Sequence, residues 1–338
     1  MRTQGSVSHF VLLTLLVLQA VAVRVSTGQD YPPKIDGFEF EQRIPLDASV
    51  LVGSVNSLEV YRDTMLTIDR IGREVLLFAP DGVLIRKLTI EACLPGTELV
   101  PMDAHFYRSG LVVSIVQAPF FVRFSHKGDC QGRMYSDRVP QAMHWTTDDS
   151  GNLITLDRTK ENVAIHDAKG DVEKTFVVRH SRYPNLERRW MSTTLRWVDG
   201  DVFVSGLMAD TLSILDTGTG HVSKLSLSFP GLPKYRGPDA PENGAEFLRQ
   251  MRKIMSGVAA IQSLFPLAPD RILLSYWQEK TRGILVISTD GQLIMKQEGI
   301  GHLIFAGNGR VYFSHQSEEL VDGDVPNPEI LVYRWIGQ

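Results

Sequence analysis

The 338-residue chain is poor in cysteine, in net charge and in long apolar runs, and each shortage excludes something. Two cysteines cannot build a Cys-only zinc site or a disulfide-dense mini-fold. Thirty-five Lys and Arg against 39 Asp and Glu give a net charge of −4, which offers no global attraction to nucleic acid. Charged residues make up 22% of the chain, too few for a disordered polyelectrolyte. The G-x-S-x-G, P-loop, H-E-x-x-H and G-x-G-x-x-G patterns are absent. Beyond the N-terminus, no segment approaches the roughly 20 apolar residues of a membrane span.

What is present begins with a leader. Arg2 precedes 14 uncharged residues, Phe10 to Val23. That run is short for a membrane helix and suits the apolar region of a signal peptide. Small-x-small sites follow at Ala20-Val21-Ala22 and Ser26-Thr27-Gly28. The second is preferred, because Gln29-Asp30 then starts the mature chain. The reading is a signal peptide over 1–28, a mature net charge of −6 and a secreted or periplasmic protein. The alternative is a leader kept as a membrane anchor.

A repeat runs through the rest. An alternating apolar run, a polar turn and a second run ending in glycine recur at LLFAPDG, VRFSHKG, AIHDAKG, SILDTGTG, LVISTDG and LVYRWIG. Their last glycines are spaced 46, 42, 50, 71 and 46 residues apart. Four short antiparallel strands per repeat make the blade of a β-propeller, and six copies make six blades. Glycine suits the turns because tight hairpins need a positive φ. The sixth copy stops after its third strand. The strand-like FEFEQRIPL, Phe38 to Leu46, is therefore expected to supply its fourth and close the ring. The fold expected for 29–338 is one all-β, six-bladed propeller with a helical insertion at about 240–257.

The segment DDSGNLITLDRTKENVAIHDAKGDV (148–172) resembles the repeat of NHL-type and TolB-like six-bladed propellers of secreted bacterial proteins. CLPGTEL (93–99) is similar to a degraded form of their G-P-G-E-F segment. The resemblance implies the fold. That group mixes binding proteins with hydrolases and lyases, so it implies no single activity.

In a propeller, strand 1 of each blade is innermost, and the 4→1 and 2→3 connections share one face. All the long segments fall there: 91–103, 178–193, 230–259 and 314–329. Long irregular segments on a rigid scaffold carry function, so this is the expected working face. The 230–259 insertion reads as a helix with one apolar stripe, either a structural cap or a lid. Arg182, Tyr183, Arg188, Arg189 and Trp190, then Lys234, Tyr235 and Arg236, interleave cations with aromatics. Such a set suits planar anions; the alternative is a solvated charge run. The blade 6 loop is acidic, with Glu318, Glu319, Asp322, Asp324 and Glu329. Its Asp-Gly-Asp could hold Ca²⁺ or be a solvated acidic loop.

Three histidines, His105, His144 and His302, precede a second strand. His144 and His302 belong to opposed blades near the working-face mouth. They could hold a divalent ion such as Zn²⁺, or line the channel as polar groups. Cys93 and Cys130 invite a disulfide. Yet one follows strand 4 and the other sits in a 3→4 turn, on opposite faces. A six-residue strand spans about 20 Å, against the roughly 6 Å that a bridge requires, so geometry argues against it. The leading expectation is a monomeric scaffold binding a small molecule, polysaccharide or protein, with no nucleic acid and no certain cofactor. The alternative is a metal-dependent hydrolase or lyase with its site at the channel mouth.

Overall fold

The structure, a computed structural model, describes residues 32–337 apart from 51, 54, 56, 71, 108, 117, 119, 136–143, 158–161, 168–169, 179–193, 207–209, 230–231, 238–245, 247–257, 279 and 317–325. The propeller lies in the compact unit Lys34–Gln338. The leader, the first arginine-aromatic loop, almost all of the helical insertion and most of the acidic loop lie outside the described residues.

Six four-stranded antiparallel sheets form the six blades. Strand β1 (Phe38–Pro45) comes first in the chain. Blade 1 is β2 (Glu59–Tyr61), β3 (Thr64–Asp69), β4 (Glu74–Phe78) and β5 (Leu84–Thr89), followed by the one-turn helix α1 (Ile90–Cys93). Blade 2 is β6 (Pro101–Tyr107), β7 (Gly110–Ile115), β8 (Phe120–Ser125) and β9 (Cys130–Tyr135). Blade 3 is β10 (Trp145–Thr147), β11 (Leu153–Asp157), β12 (Asn162–His166) and β13 (Val172–Val177). Blade 4 is β14 (Thr194–Val198), β15 (Asp201–Ser205), β16 (Thr211–Asp216) and β17 (Val222–Ser226). Blade 5 is β18 (Ala259–Ala268), β19 (Arg271–Gln278), β20 (Thr281–Ser288) and β21 (Leu293–Glu298). Blade 6 is β22 (His302–Gly307), β23 (Arg310–His315) and β24 (Glu329–Trp335), completed by β1 on its outer edge. The N-terminal strand closes the ring, as its sequence predicts.

The core is a set of wedges between neighbouring blades. One wedge joins Leu66, Val75 and Leu77 of blade 1 to Leu111, Val113 and Val122 of blade 2. Another joins Leu273, Ile284 and Val286 of blade 5 to Val311, Phe313 and Leu331 of blade 6. Both faces of the middle strands are covered, so β7 is buried along its whole length and reads as a continuous apolar run. Outer strands meet solvent, and β5 exposes Ile85, Arg86 and Lys87 in succession.

The expectation for the cysteines is overturned. Cys93 and Cys130 are bridged, with Cα atoms 5.2 Å apart. Twist is the reason. Adjacent strands rotate by about 20–25°, so three steps turn the outer strand by roughly 60–75° from the inner one. The end of each outer strand therefore leans over to the 3→4 turn of the next blade. A Cβ on Gly128, in the blade 2 turn, would lie 2.6 Å from Arg86 Cδ of β5. The Gly82 turn of blade 1 likewise receives the Asp47 N–H, at 3.0 Å, from just beyond β1. This lean brings α1 to the start of β9. The bridge closes a separation of 37 residues, for which loop-closure entropy gives about 4 kcal/mol. The Cys93→Ser/Cys130→Ser double variant should lose roughly that much in a urea titration at neutral pH. An unchanged midpoint would show that the blade wedges already hold this edge.

Candidate functional site

Two clusters stand out, at different heights in the ring. The first is the hub. Glu59, His105, Arg196 and Phe305 each stand two positions before the residue that closes a 1→2 hairpin; those residues are Tyr61, Tyr107, Val198 and Gly307. A common offset from equal hairpins puts them in one layer of the innermost strands. The His105 ring lies between two carboxylates. Its Nδ1 is 3.2 Å from Glu59 Oε2, and its Nε2 is 3.3 Å from Asp103 Oδ2. Glu59 also accepts the Phe106 N–H at 3.0 Å, and Asp103 accepts the Ala104 N–H at 3.0 Å. Trp145 of blade 3 meets the His105 ring edge-on, with centroids 4.6 Å apart. On the other side, Arg196 lies over Phe265 at 5.0 Å, and Phe265 meets Phe305 at 5.8 Å.

The charges explain the protonation states. Burial pushes the His105 imidazole down, but Glu59 and Asp103 outweigh it and raise its pKa to about 9. His105 is thus a cation at neutral pH. Burial pushes Asp103 up, yet His105 and then Arg196 hold its carboxyl below the usual range. The hub therefore balances two anions with two cations, drawn from blades 1, 2 and 4. Sequence reasoning noted His105 without its partners.

The second set stands on the 4→1/2→3 face and comprises Asp210, Lys234 and Arg236, which interact with one another, and Arg282 with His302, which do likewise. Lys234, Tyr235 and Arg236 belong to the connection entering blade 5, where the Ala259 N–H donates to Pro233 O at 2.8 Å. Arg236 Nη1 is 3.4 Å from Asp210 Oδ2, in the 2→3 connection of blade 4. Burial lowers the Lys234 amine to about 8, with Asp210 opposing and Arg236 reinforcing. Arg282 is the second residue of β20, and His302 opens β22. Burial and then the Arg282 charge push His302 down to about 4, so its ring is neutral. His144 is buried just before β10, its carbonyl accepting the Leu156 N–H at 3.2 Å. A neutral imidazole can ligate a metal, but a guanidinium beside His302 opposes a dication there. Among the described residues, no group of three or more His, Cys, Asp or Glu is arranged to hold a metal ion. Arg182, Tyr183, Arg188, Arg189 and Trp190 lie outside the described residues.

No family model matches the chain, and no curated protein matches it. Solved structures do. A candidate exported protein of Bacteroides fragilis superposes with a TM-score of 0.62 at 11% identity, over 87% of this chain and 94% of its own. A member of the DUF4221 family from Bacteroides vulgatus gives 0.61 at 9% identity, over 88% and 97%. The WD40 repeats of RRP9 give 0.52 at 10% identity, over 88% and 100%. Identities this low show the fold alone, and the protein is a six-bladed β-propeller. Among the described residues, no helix is long and apolar enough to cross a membrane.

Proposed function

We propose that this propeller is an exported, NHL-like binding scaffold that takes an anionic ligand or partner on its 4→1/2→3 face. One observation carries the reading: Lys234 and Arg236, in the connection entering blade 5, and Arg282, near the start of β20, all stand at the face that also bears the long insertions. The reading extends to the basic segment with Arg182, Tyr183, Arg188, Arg189 and Trp190, which lies between β13 and β14 in the sequence and outside the described residues. Export is supported by the leader-like first 28 residues, by the disulfide, which favours an oxidising compartment, and by the description of the Bacteroides fragilis neighbour. A rigid ring presenting arginines and aromatics recognises oxyanions by forked hydrogen bonds and charge, without a bond-making step.

The test is retention on immobilised polygalacturonate, a carboxylated polymer, across a salt gradient. Wild-type protein should bind at low salt and elute steeply as salt rises. The Arg188→Glu/Arg189→Glu/Arg236→Gln variant, which changes no buried group among the described residues, should bind at least tenfold more weakly with a nearly unchanged melting temperature. Equal retention of the two proteins would sink the assignment of this face.

A further inference from the structure

The mouth contains a cation for which the described residues offer no counter-charge. Arg282 continues the row of Ile284 and Val286, which fill the wedge between blades 5 and 6. Its guanidinium therefore points to the open end of that wedge. Burial alone lowers its pKa, and no carboxylate raises it. Arg310, by contrast, is raised by Glu41. The nearest acid in the following connection, Glu298, is turned the other way, to Lys296 Nζ at 2.7 Å and the Tyr276 hydroxyl at 3.1 Å.

The surroundings have the chemistry of a small binding notch. Trp277 is the direct cross-strand partner of Arg282, so the indole and the guanidinium share one face of the blade. The indole is half-buried. Opposite them, Gly299-Ile300-Gly301 leads into His302, and the Gly299 N–H donates to Arg282 O at 2.9 Å. A Cβ on Gly299 would meet nothing within 4 Å, and one on Gly301 nothing nearer than 3.8 Å. The loop thus carries no side chain at either glycine that would fill the space beside it. The neutral His302 ring supplies one donor and one acceptor beside it.

We infer that the notch formed by Trp277, Arg282, His302 and the 299–301 loop binds a ring-bearing carboxylate. The planar guanidinium takes a carboxylate through two parallel N–H donors. The indole face takes the apolar side of a ring, and His302 hydrogen-bonds a ring hydroxyl. A bare inorganic anion would leave the indole unused. This rests on the anionic-ligand reading above and assigns it a place and a ligand class. Two sources share the chemistry, a uronic acid sugar and an aromatic acid.

The experiment is calorimetric titration of the full mature chain with trigalacturonate, with 4-hydroxybenzoate and with neutral galactotriose. Either acid should bind, identifying the source, and galactotriose should bind at least tenfold more weakly. Arg282→Met should weaken acid binding at least tenfold. Arg282→Lys, which keeps the charge but not the fork, should fall between and guards against a folding failure. Binding of either acid with full affinity by both variants overturns the notch but leaves the basic face standing, provided that polygalacturonate is still retained. Failure of the wild-type protein to bind either acid, with retention on the polymer, also overturns the notch. Failure of every probe, the polymer included, overturns both readings.

Discussion

Placing one charge at Ile44 is expected to open the ring. Ile44 is 2% exposed and sits in the wedge with Met65, Leu76 and Phe78 of blade 1 and Ile330 and Val332 of blade 6. It belongs to β1, which pairs with β24 from Phe38↔Trp335 to Pro45↔Glu329. In Ile44→Asp a carboxylate replaces apolar volume where no cation waits, a cost of several kcal/mol. The outer edge of blade 6 then loses its cover, and β24 becomes an exposed edge prone to pairing between molecules. The variant should unfold at a much lower temperature and aggregate on size-exclusion chromatography. Glu41→Gln is the control. Glu41 forks with Arg310 at 2.6 and 2.7 Å, and Arg43 with Glu329 at 2.5 Å, while Arg334 pairs with Glu39. These pairs lie on the outer, solvated side of the closing strand. Breaking one exposed pair should cost about 0–1 kcal/mol. Ile44→Asp melting with the wild type would mean that the ring does not depend on β1.

Ring closure was legible in the sequence because both halves of the signal are local: a repeat that stops one strand short, and an orphan alternating strand at Phe38–Leu46. The turn glycines were legible for the same reason, since a positive φ such as the +88° at Gly82 is a demand of the turn itself. The disulfide was not, because its geometry depends on twist accumulated over a blade, and a linear count of strand lengths contains no twist. The hub was half legible. Its histidine was visible, but Glu59 and Arg196 come from other blades, and their common layer appears only when each hairpin register is fixed. The signal was there in the shared two-residue offset from Tyr61, Tyr107 and Val198, had the hairpin ends been known. At the mouth, Arg282 sat in an ordinary strand with no nearby motif. Only the wedge packing of its row marks it as an inward cation.

The hub gives the second large effect, and its sign follows from His105. Its folded pKa, about 9, lies above the ordinary value of 6.5 for histidine. The folded state therefore holds the proton more tightly than the unfolded chain does. The resulting stability is complete below pH 6.5 and is lost as pH rises through about 9. A displacement of that size corresponds to about 3 kcal/mol. Lys234 opposes this: its amine, held down to about 8 from 10.5, adds about 2 kcal/mol of stability between pH 8 and 9.5, so urea titrations at pH 6.5 and pH 9.5 should differ by about 1 kcal/mol, with the lower pH more stable. The acid side runs oppositely. Asp103 is held below 3.8, so its contribution is present above that value and fades in stronger acid. His302, held down to about 4, resists protonation, so stability also declines as pH falls from 6.5 toward 4. Maximum stability is expected near pH 6.5. His105→Gln isolates the contribution of the histidine. It leaves the Glu59 carboxylate facing a neutral amide and should cost about 3–5 kcal/mol at pH 6.5. It should also turn the decline between pH 6.5 and 9.5 into a rise of about 2 kcal/mol, because Lys234 still titrates there and His105 does not. The same pH dependence in the wild-type protein and in His105→Gln would show that the Glu59–His105–Asp103 contact does not hold the proton. The same result would remove the reason for placing two carboxylates against one buried ring where blades 1, 2 and 4 converge.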